Sequence, residues 1–316
     1  MKMFVVGATG VVGRRVVAQL VGDGVEVTAV ARTPAKADAV RSAGATPVHV
    51  SLFVREALAA AVAGHHVVVN LATAVPSGER SADAAAWSEN HRIRREGARN
   101  LVDAALASGV PRYIQESISL LYADGGDRYL DESAPLDPTD ITEPALAAEA
   151  EAARFAQHGA VGVALRFGTF YGFDSAHTIE TIDAASHGVF AVPGPADAYW
   201  PSVTTDDAAS AVVAALRAPS GVYNVAEDHP LTRAEHADAL AAALGIGALR
   251  LSAGDGLPAD LSMMSRSLRV SSQLLTALTG WHPRFTSARQ GWPAVVAATR
   301  RSRGDVLPLD DRRETT

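Results

Sequence analysis

Gly7, Gly10 and Gly13, interleaved with Thr9, Val11 and Val12, form the pattern in this sequence that points most directly to chemistry. Glycines at this spacing let backbone N–H groups at a helix N-terminus approach a pyrophosphate with no Cβ in the way. The flanks supply what such a turn needs. Met3–Val6 reads as a short buried strand and Val11–Leu20 as an amphipathic helix, which together predict a dinucleotide site. Further on, the strand Val25–Val30 ends in Ala31-Arg32-Thr33, with Lys36 one helical turn later. A carboxylate at that corner would hydrogen-bond both ribose hydroxyls of NAD and repel a 2′-phosphate. A guanidinium there pairs with the phosphate instead, so the sequence favours NADP(H), with NAD the second choice.

The elements that must position these residues alternate along the first half. Strands are predicted at Ala45–Val50, His66–Leu71 and Arg112–Ser117, with helices at Val54–Val62 and Ala82–Ala107 between them. Helix, short turn and strand at this spacing are βαβ crossovers, which require parallel strands. The expected fold is α/β, a doubly wound parallel sheet of Rossmann type with a smaller C-terminal substrate lobe. Residues 1–168 form the nucleotide domain, 205–226 return to it, 169–300 build most of the substrate lobe, and 301–316 form a polar, flexible tail. Later helices are expected at Glu143–Phe155, Ala208–Leu216, Thr232–Leu244, Ser271–Thr279 and Ser287–Thr299, the last kinked at Pro293. Asp206 and Asp207 are read as the anionic start of the helix at Ala208.

Composition narrows the function. A net charge of −7 with no dense Lys/Arg cluster argues against nucleic-acid binding. The absence of cysteine excludes disulfides, cysteine-based zinc sites and a thiol nucleophile. No stretch reaches the roughly 18 apolar residues of a membrane span. His65 and His66 are adjacent at a strand entrance and so face opposite sides, and no metal site is expected. A strand that begins at the N-terminus leaves no room for a signal peptide, so the expectation is a cytoplasmic protein acting on a small molecule.

Several of these segments, taken in order, resemble the extended short-chain dehydrogenase/reductases, in particular the NAD(P)-dependent epimerase/dehydratase branch. They are the Gly7–Gly13 turn, Val69-Asn70-Leu71-Ala72-Thr73, Asn90 with Gly97–Ala105, Leu165–Gly172, Thr204–Ala209, Gly221–Val225 and Gly280-Trp281-His282-Pro283. The resemblance implies that the glycine turn holds the pyrophosphate and that Arg32 holds the adenosine phosphate. Leu71, Ala72 and Thr73 would line the ribose and nicotinamide side. It places Ser51, with Leu52, where members commonly carry the Asp of Gly-Asp-Leu. It brings Glu116 and Ser117, at the end of the fifth strand, and Phe167, Gly168 and Thr169 to the reactive face of the cofactor. It also implies a homodimer through the helix from Ala82 and the helix after Glu143.

The family's catalytic set is a Ser or Thr after the fifth strand and a Tyr-x-x-x-Lys on the next helix, in which the Lys lowers the Tyr pKa. This chain has only Lys2 and Lys36, and the helix from Glu143 carries neither Tyr nor Lys. Counting back from Tyr122 puts Ile118 at the serine position, between Ser117 and Ser119. The remaining catalytic candidates are Ser117, Tyr122 and His177. Thr73, Tyr122, Glu143, Phe170, Tyr171, His177 and Trp200 are the expected substrate-pocket residues. The acidic loop Tyr122–Glu132 is read as a flexible lid.

The leading reading is an NADP(H)-dependent oxidoreductase of an atypical extended type acting on a small or medium organic substrate. Two others stay open: a redox-neutral dehydratase, isomerase or cyclase, and a non-catalytic NADP(H)-sensing protein.

Overall fold

The computed structural model describes residues 1–76, 78–251 and 259–304. Its central sheet uses β1 (Lys2–Val6), β2 (Glu26–Val30), β3 (Thr46–Val48), β4 (Val67–Asn70), β5 (Arg112–Ile118) and β6 (Val161–Phe167). Next in the chain, β7 (Thr169–Tyr171) and β8 (Ser202–Thr204) pair with each other, and β9 (Gly221–Val225) returns to the edge of the main sheet. All seven strands run parallel in the order β9-β6-β5-β4-β1-β2-β3.

Near-continuous burial along β1, β4, β5 and β6 is what a sheet covered on both faces demands. One cover is built from α1 (Gly13–Gly22) and α2 (Pro34–Ser42), the other begins with α3 (Arg55–Val62). The chain continues through α4 (Ser88–Arg92), α5 (Ala98–Ala107), α6 (Glu143–Gln157), α7 (Ala176–Ser186) and α8 (Thr205–Ala214). It ends with α9 (Arg233–Leu244), α10 (Gln273–Thr279) and α11 (Ala288–Arg303). On the first face Val16, Val17 and Leu20 of α1 share a core with Ala208, Ala211 and Val212 of α8. On the second, Leu58, Leu101, Val102 and Phe155 pack on Phe4, Val68 and Tyr113. Each buried aliphatic or aromatic side chain of this kind contributes about 1.5–3 kcal/mol, so these two layers carry most of the fold. A third core, with Phe190, Trp200, Leu240, Trp292 and Val296, joins α7, α9 and α11.

Several expected elements differ in detail. The long helix from Ala82 is segmented: short 3-10 turns precede α4, and a π turn at Ile93–Gly97 separates it from α5. An extra residue in the helical ladder shifts which side chains face inward, and it is why Arg94 is buried. The α8 cap is the Thr204 hydroxyl, which accepts from the Asp207 N–H, and the two aspartates lie inside the first turn. Pro293 sits within α11 without ending it, and residues 301–303 of the expected tail continue that helix. The rest of the tail, 305–316, lies outside the described residues.

The acidic loop is not a free lid. Gly125 donates its N–H to the Ser267 carbonyl (2.9 Å), and Asp124 accepts from the Ser267 N–H (2.8 Å). Tyr129–Leu130 pairs with Arg269–Val270. Asp124 and Asp131 are spent on the local turns at Gly126 and Ser133, and Glu132 accepts from the Asn224 N–H of β9, which is why polarity alone misread it.

Candidate cofactor groove and substrate cavity

Strand order reverses between β1 and β4, and the loops after these two strands flank a crevice, the place where open α/β sheets take ligands. Gly7 sits at φ 80°, and a Cβ there would stand 2.4 Å from the Leu71 carbonyl. A Cβ on Gly13 would lie 2.1 Å from the Gly7 oxygen. Glycine is therefore the residue that lets the β1 turn, the β4 loop and α1 meet. The α1 N-terminus has no side-chain cap and no acid in its first turn; its Arg14 and Arg15 N–H groups bond the Gly10 and Val12 carbonyls, and its positive dipole end is left uncompensated for an anion.

Gly7, Thr9, Gly10, Arg32, Lys36, Ser51, Leu52, Leu71, Ala72 and Thr73 line one groove of about 180 Å³. Val11, Val12 and Gly13, expected at the cofactor, are not among the residues that line it. Arg32 is exposed and makes only a loose pair with Glu89, 4.0 Å apart, so its guanidinium stays at the groove. Lys36 is brought there by the first turn of α2, which Thr33 caps through the Lys36 N–H.

Sequence reasoning missed Phe53 and Ile93 in this wall. Phe53 follows Ser51-Leu52 directly and carries the Arg92 guanidinium 3.7 Å from its ring centroid. An aromatic just past the third strand is the signal that could have found it. Three asparagines hold the wall in place. Asn70 accepts from the Ala72 N–H (3.2 Å), Asn90 from the Ala74 N–H (3.0 Å), and Asn100 donates to the Leu52 carbonyl (2.9 Å).

The corner between β5 and α6 is built differently. Ser117 donates to Glu149 (2.6 Å), and Arg166 clasps both oxygens of Glu149 at 2.8 and 2.7 Å. Arg166 also donates to the Tyr122 hydroxyl (3.0 Å), which itself donates to Asn224 (2.8 Å). Ser117 and Tyr122 have no accessible surface, and Glu149 and Arg166 almost none. Burial raises the Tyr122 phenol above its ordinary value despite Arg166. A bidentate guanidinium–carboxylate pair satisfies each charge where water cannot. Ser117 and Tyr122 are therefore removed from the surface that a ligand reaches, contrary to the expectation for a proton donor. Glu116 is likewise buried against Arg94 (2.8 Å), its carboxyl raised by burial. Glu143 lies half-exposed at the start of α6 in an ion pair with Arg95, outside the pocket expected for it.

Phe170, Tyr171, His177 and Trp200 are brought together around a second, smaller cavity, and Thr169 of β7 lies on its wall. Ser202, His236 and Trp292, which sequence reasoning did not single out, also line it, with Thr178, Thr181, Phe190 and Val192. Their signal is weak because they come from β8, α9 and α11, far apart in the chain. Phe167 and Gly168 are buried behind this wall.

Arg14 and Arg15 of α1 tie the two parts together. Both pair with Asp174, and Arg15 also bonds Asp206 (2.7 Å).

The sequence pattern of the NAD dependent epimerase/dehydratase family matches residues 3–226. A 3-diazoavenalumate denitrifying reductase from a Streptomyces species is 32% identical over 312 residues, covering 92% of this chain and 99% of that protein. A Stigmatella aurantiaca ketoreductase, of 4-hydroxy-2-methyl-3-oxo-4-farnesyl-3,4-dihydroquinoline-1-oxide, is 33% identical over 153 residues, 48% of this chain and 44% of that protein. Among solved structures, the dTDP-glucose 4,6-dehydratase DesIV of Streptomyces venezuelae, with NAD and TYD bound, superimposes with a TM-score of 0.79. It is 20% identical, over 96% of this chain and 98% of that one, a likeness of fold.

Proposed function

This chain belongs to the NAD-dependent epimerase/dehydratase family, and we propose that it is an NADP(H)-dependent reductase of a small or medium organic acceptor, lacking the Tyr–Lys dyad. The observation that carries the reading is Arg32 with Lys36 on the groove wall, where an NAD site would present a carboxylate. The glycine turn would be the cradle for the pyrophosphate, because only without a Cβ at Gly7 and Gly13 can the β1 turn, the β4 loop and α1 approach this closely. Ser51 and Phe53 would hold the adenine end, and Leu71, Ala72 and Thr73 the ribose and nicotinamide side. Thr169, with Phe167 and Gly168 behind it, would bound the substrate side. NADPH, when bound, supplies a hydride.

The residues that remain to meet a substrate are Phe170, Tyr171, His177 and Trp200. The corner that would otherwise donate a proton is an occupied ion-pair network. An acceptor that needs no proton at the hydride step suits that arrangement. A diazo arene is one: hydride adds to the terminal nitrogen to give Ar–N=N–H, and loss of N2 leaves a C–H bond. The reductase relative that spans almost the whole chain is named for a diazo substrate, and it supports trying this class first. A ketone, named for the second relative, is the comparator.

The test is loss of NADPH absorbance with an aryl diazonium salt and with an aryl ketone. Consumption of NADPH with release of N2 from the first supports the reading. No NADPH consumption with either acceptor, alongside a substrate converted without change of redox state, would move the assignment to redox-neutral chemistry.

A further inference from the structure

A buried carboxyl without a cationic partner among the described residues lies at the floor of the cavity beside Phe170. Glu227 is 1% exposed. One of its oxygens accepts from the Tyr171 hydroxyl and the other from the Ser202 hydroxyl (2.7 Å). The Ala288 N–H, at the start of α11, donates to it as well. Tyr171 and Ser202 line the cavity, whereas Glu227 stands behind them. The fold makes room for this contact, since a Cβ at Gly291 would stand 1.8 Å from the Tyr171 hydroxyl oxygen.

The same two hydroxyl hydrogens cannot serve both the carboxyl and the cavity. With Glu227 ionised, both turn toward it, and a group in the cavity meets only lone pairs at these two oxygens. With Glu227 protonated, one carboxyl oxygen becomes a donor and the hydroxyl it meets must accept. That hydroxyl then releases its own hydrogen toward the cavity.

The geometry points to a subsite for one oxygen-bearing substituent of the substrate, in which Glu227 decides whether Tyr171 and Ser202 offer it a donor or an acceptor. The inference rests on the reading of this cavity as the place of the organic substrate. Size supports one substituent and not a whole molecule. The free volume is about 20 Å³, and a water needs roughly 10–15 Å³ of such space.

The neighbouring groups keep the switch to one titration. Burial pushes the Glu227 carboxyl up to about 8, against the pull of its three donors, and Asp207 on α8 adds to the rise. Asp207 is itself raised by burial but is held by the Arg284 and Phe285 N–H groups and by Thr204. His236 on α9 is pressed down to about 4 by burial, so its ring is neutral. Its Nε2 lies 3.3 Å from the Trp200 carbonyl, which can only accept, and 3.4 Å from the Ser202 oxygen. Burial and the Glu227 charge lift the Tyr171 phenol well above its ordinary range. His177 lines the same cavity, and burial lowers its imidazole from the ordinary value, away from the transition of interest.

Two measurements on the cofactor-free protein test this, and neither needs turnover, so they stand or fall apart from the reductase assignment. The first is tryptophan fluorescence from pH 6 to 10, since Trp292 lies 4.9 Å from the Tyr171 ring. A transition near pH 8 is expected, absent in Glu227→Gln and moved upward in Tyr171→Phe, which removes a donor to the ionised form. A wild-type profile without that transition, or the same transition in Glu227→Gln, overturns the inference. The second is binding of acetophenone, an acceptor-only probe, at pH 6.5 and pH 9. Wild type should bind it several-fold more tightly at pH 6.5, and Glu227→Gln, whose amide keeps a donor facing the hydroxyls, should bind it equally at both. Binding that is absent, or independent of pH in wild type, contradicts a donor-presenting subsite.

Discussion

The cofactor groove and the corner between β5 and α6 sit at the same end of one sheet, yet they are built on opposite principles. The groove is made largely of backbone: glycines without Cβ atoms at the turn, with Arg32 and Lys36 on the wall. The corner is made of side chains that consume one another, with Ser117, Glu149, Arg166, Tyr122 and Asn224 linked in one buried chain. Recognition by backbone keeps a site open for a ligand; charge pairing between side chains closes one. The difference separates the groove proposed for a dinucleotide from a corner whose polar side chains are already paired with one another.

Substitutions on the two sides should separate them. The largest effect is expected at Gly7→Ala. The new Cβ would stand 2.4 Å from the Leu71 backbone at φ 80°, so dinucleotide binding should be lost with a clear fall in melting temperature. In the corner, Glu149→Ala strands the buried Arg166 charge and should cost about 3–5 kcal/mol in denaturant unfolding. Replacing the pair together by Glu149→Leu and Arg166→Met should recover most of it. A single-variant loss no larger than that of a surface pair would mean that the corner is not the closed network described.

Arg32→Ala should weaken NADP(H) binding by about 1.5–3 kcal/mol, the value of a hydrogen bond to a charged group, with NAD binding unchanged. Calorimetry with both dinucleotides reads this difference. The Glu227 carboxyl gives a pH signature. Its folded value, about 8, lies above its ordinary 4.5, so the folded state holds the extra proton between them. Its contribution to stability is complete below pH 4.5 and is lost as pH rises through 8. Glu227→Gln should remove that part of the slope in melts recorded across this range. The smallest effect is expected for Tyr122→Phe, about 1 kcal/mol of stability with turnover unchanged. A large fall in turnover there would return Tyr122 to the chemistry and blur the contrast between the two regions.

Much of the groove was legible in the sequence because its determinants are local. Gly7, Gly10 and Gly13 lie within one turn, and Arg32 and Lys36 follow one strand end, so spacing alone brings them together. The parallel sheet was legible for the same reason, since unbroken apolar runs separated by helices leave little else to build. The closed corner was not. Its links join Ser117 to Glu149 and Tyr122 to Asn224, contacts between distant segments that no periodicity encodes. The segmented helix from Ala82 escaped because a π turn leaves the apolar spacing nearly helical while burying Arg94. Glu227 was invisible because a polar residue just after a strand reads as a loop until the packing of α9 and α11 encloses it.

The most direct test of the account is a calorimetric titration of the wild-type protein with NADP and NAD under identical salt. One dinucleotide per chain is expected, with NADP bound at least tenfold more tightly than NAD. Equal affinities, or a preference for NAD, would contradict the role given to Arg32 and Lys36 and with it the reading of the groove.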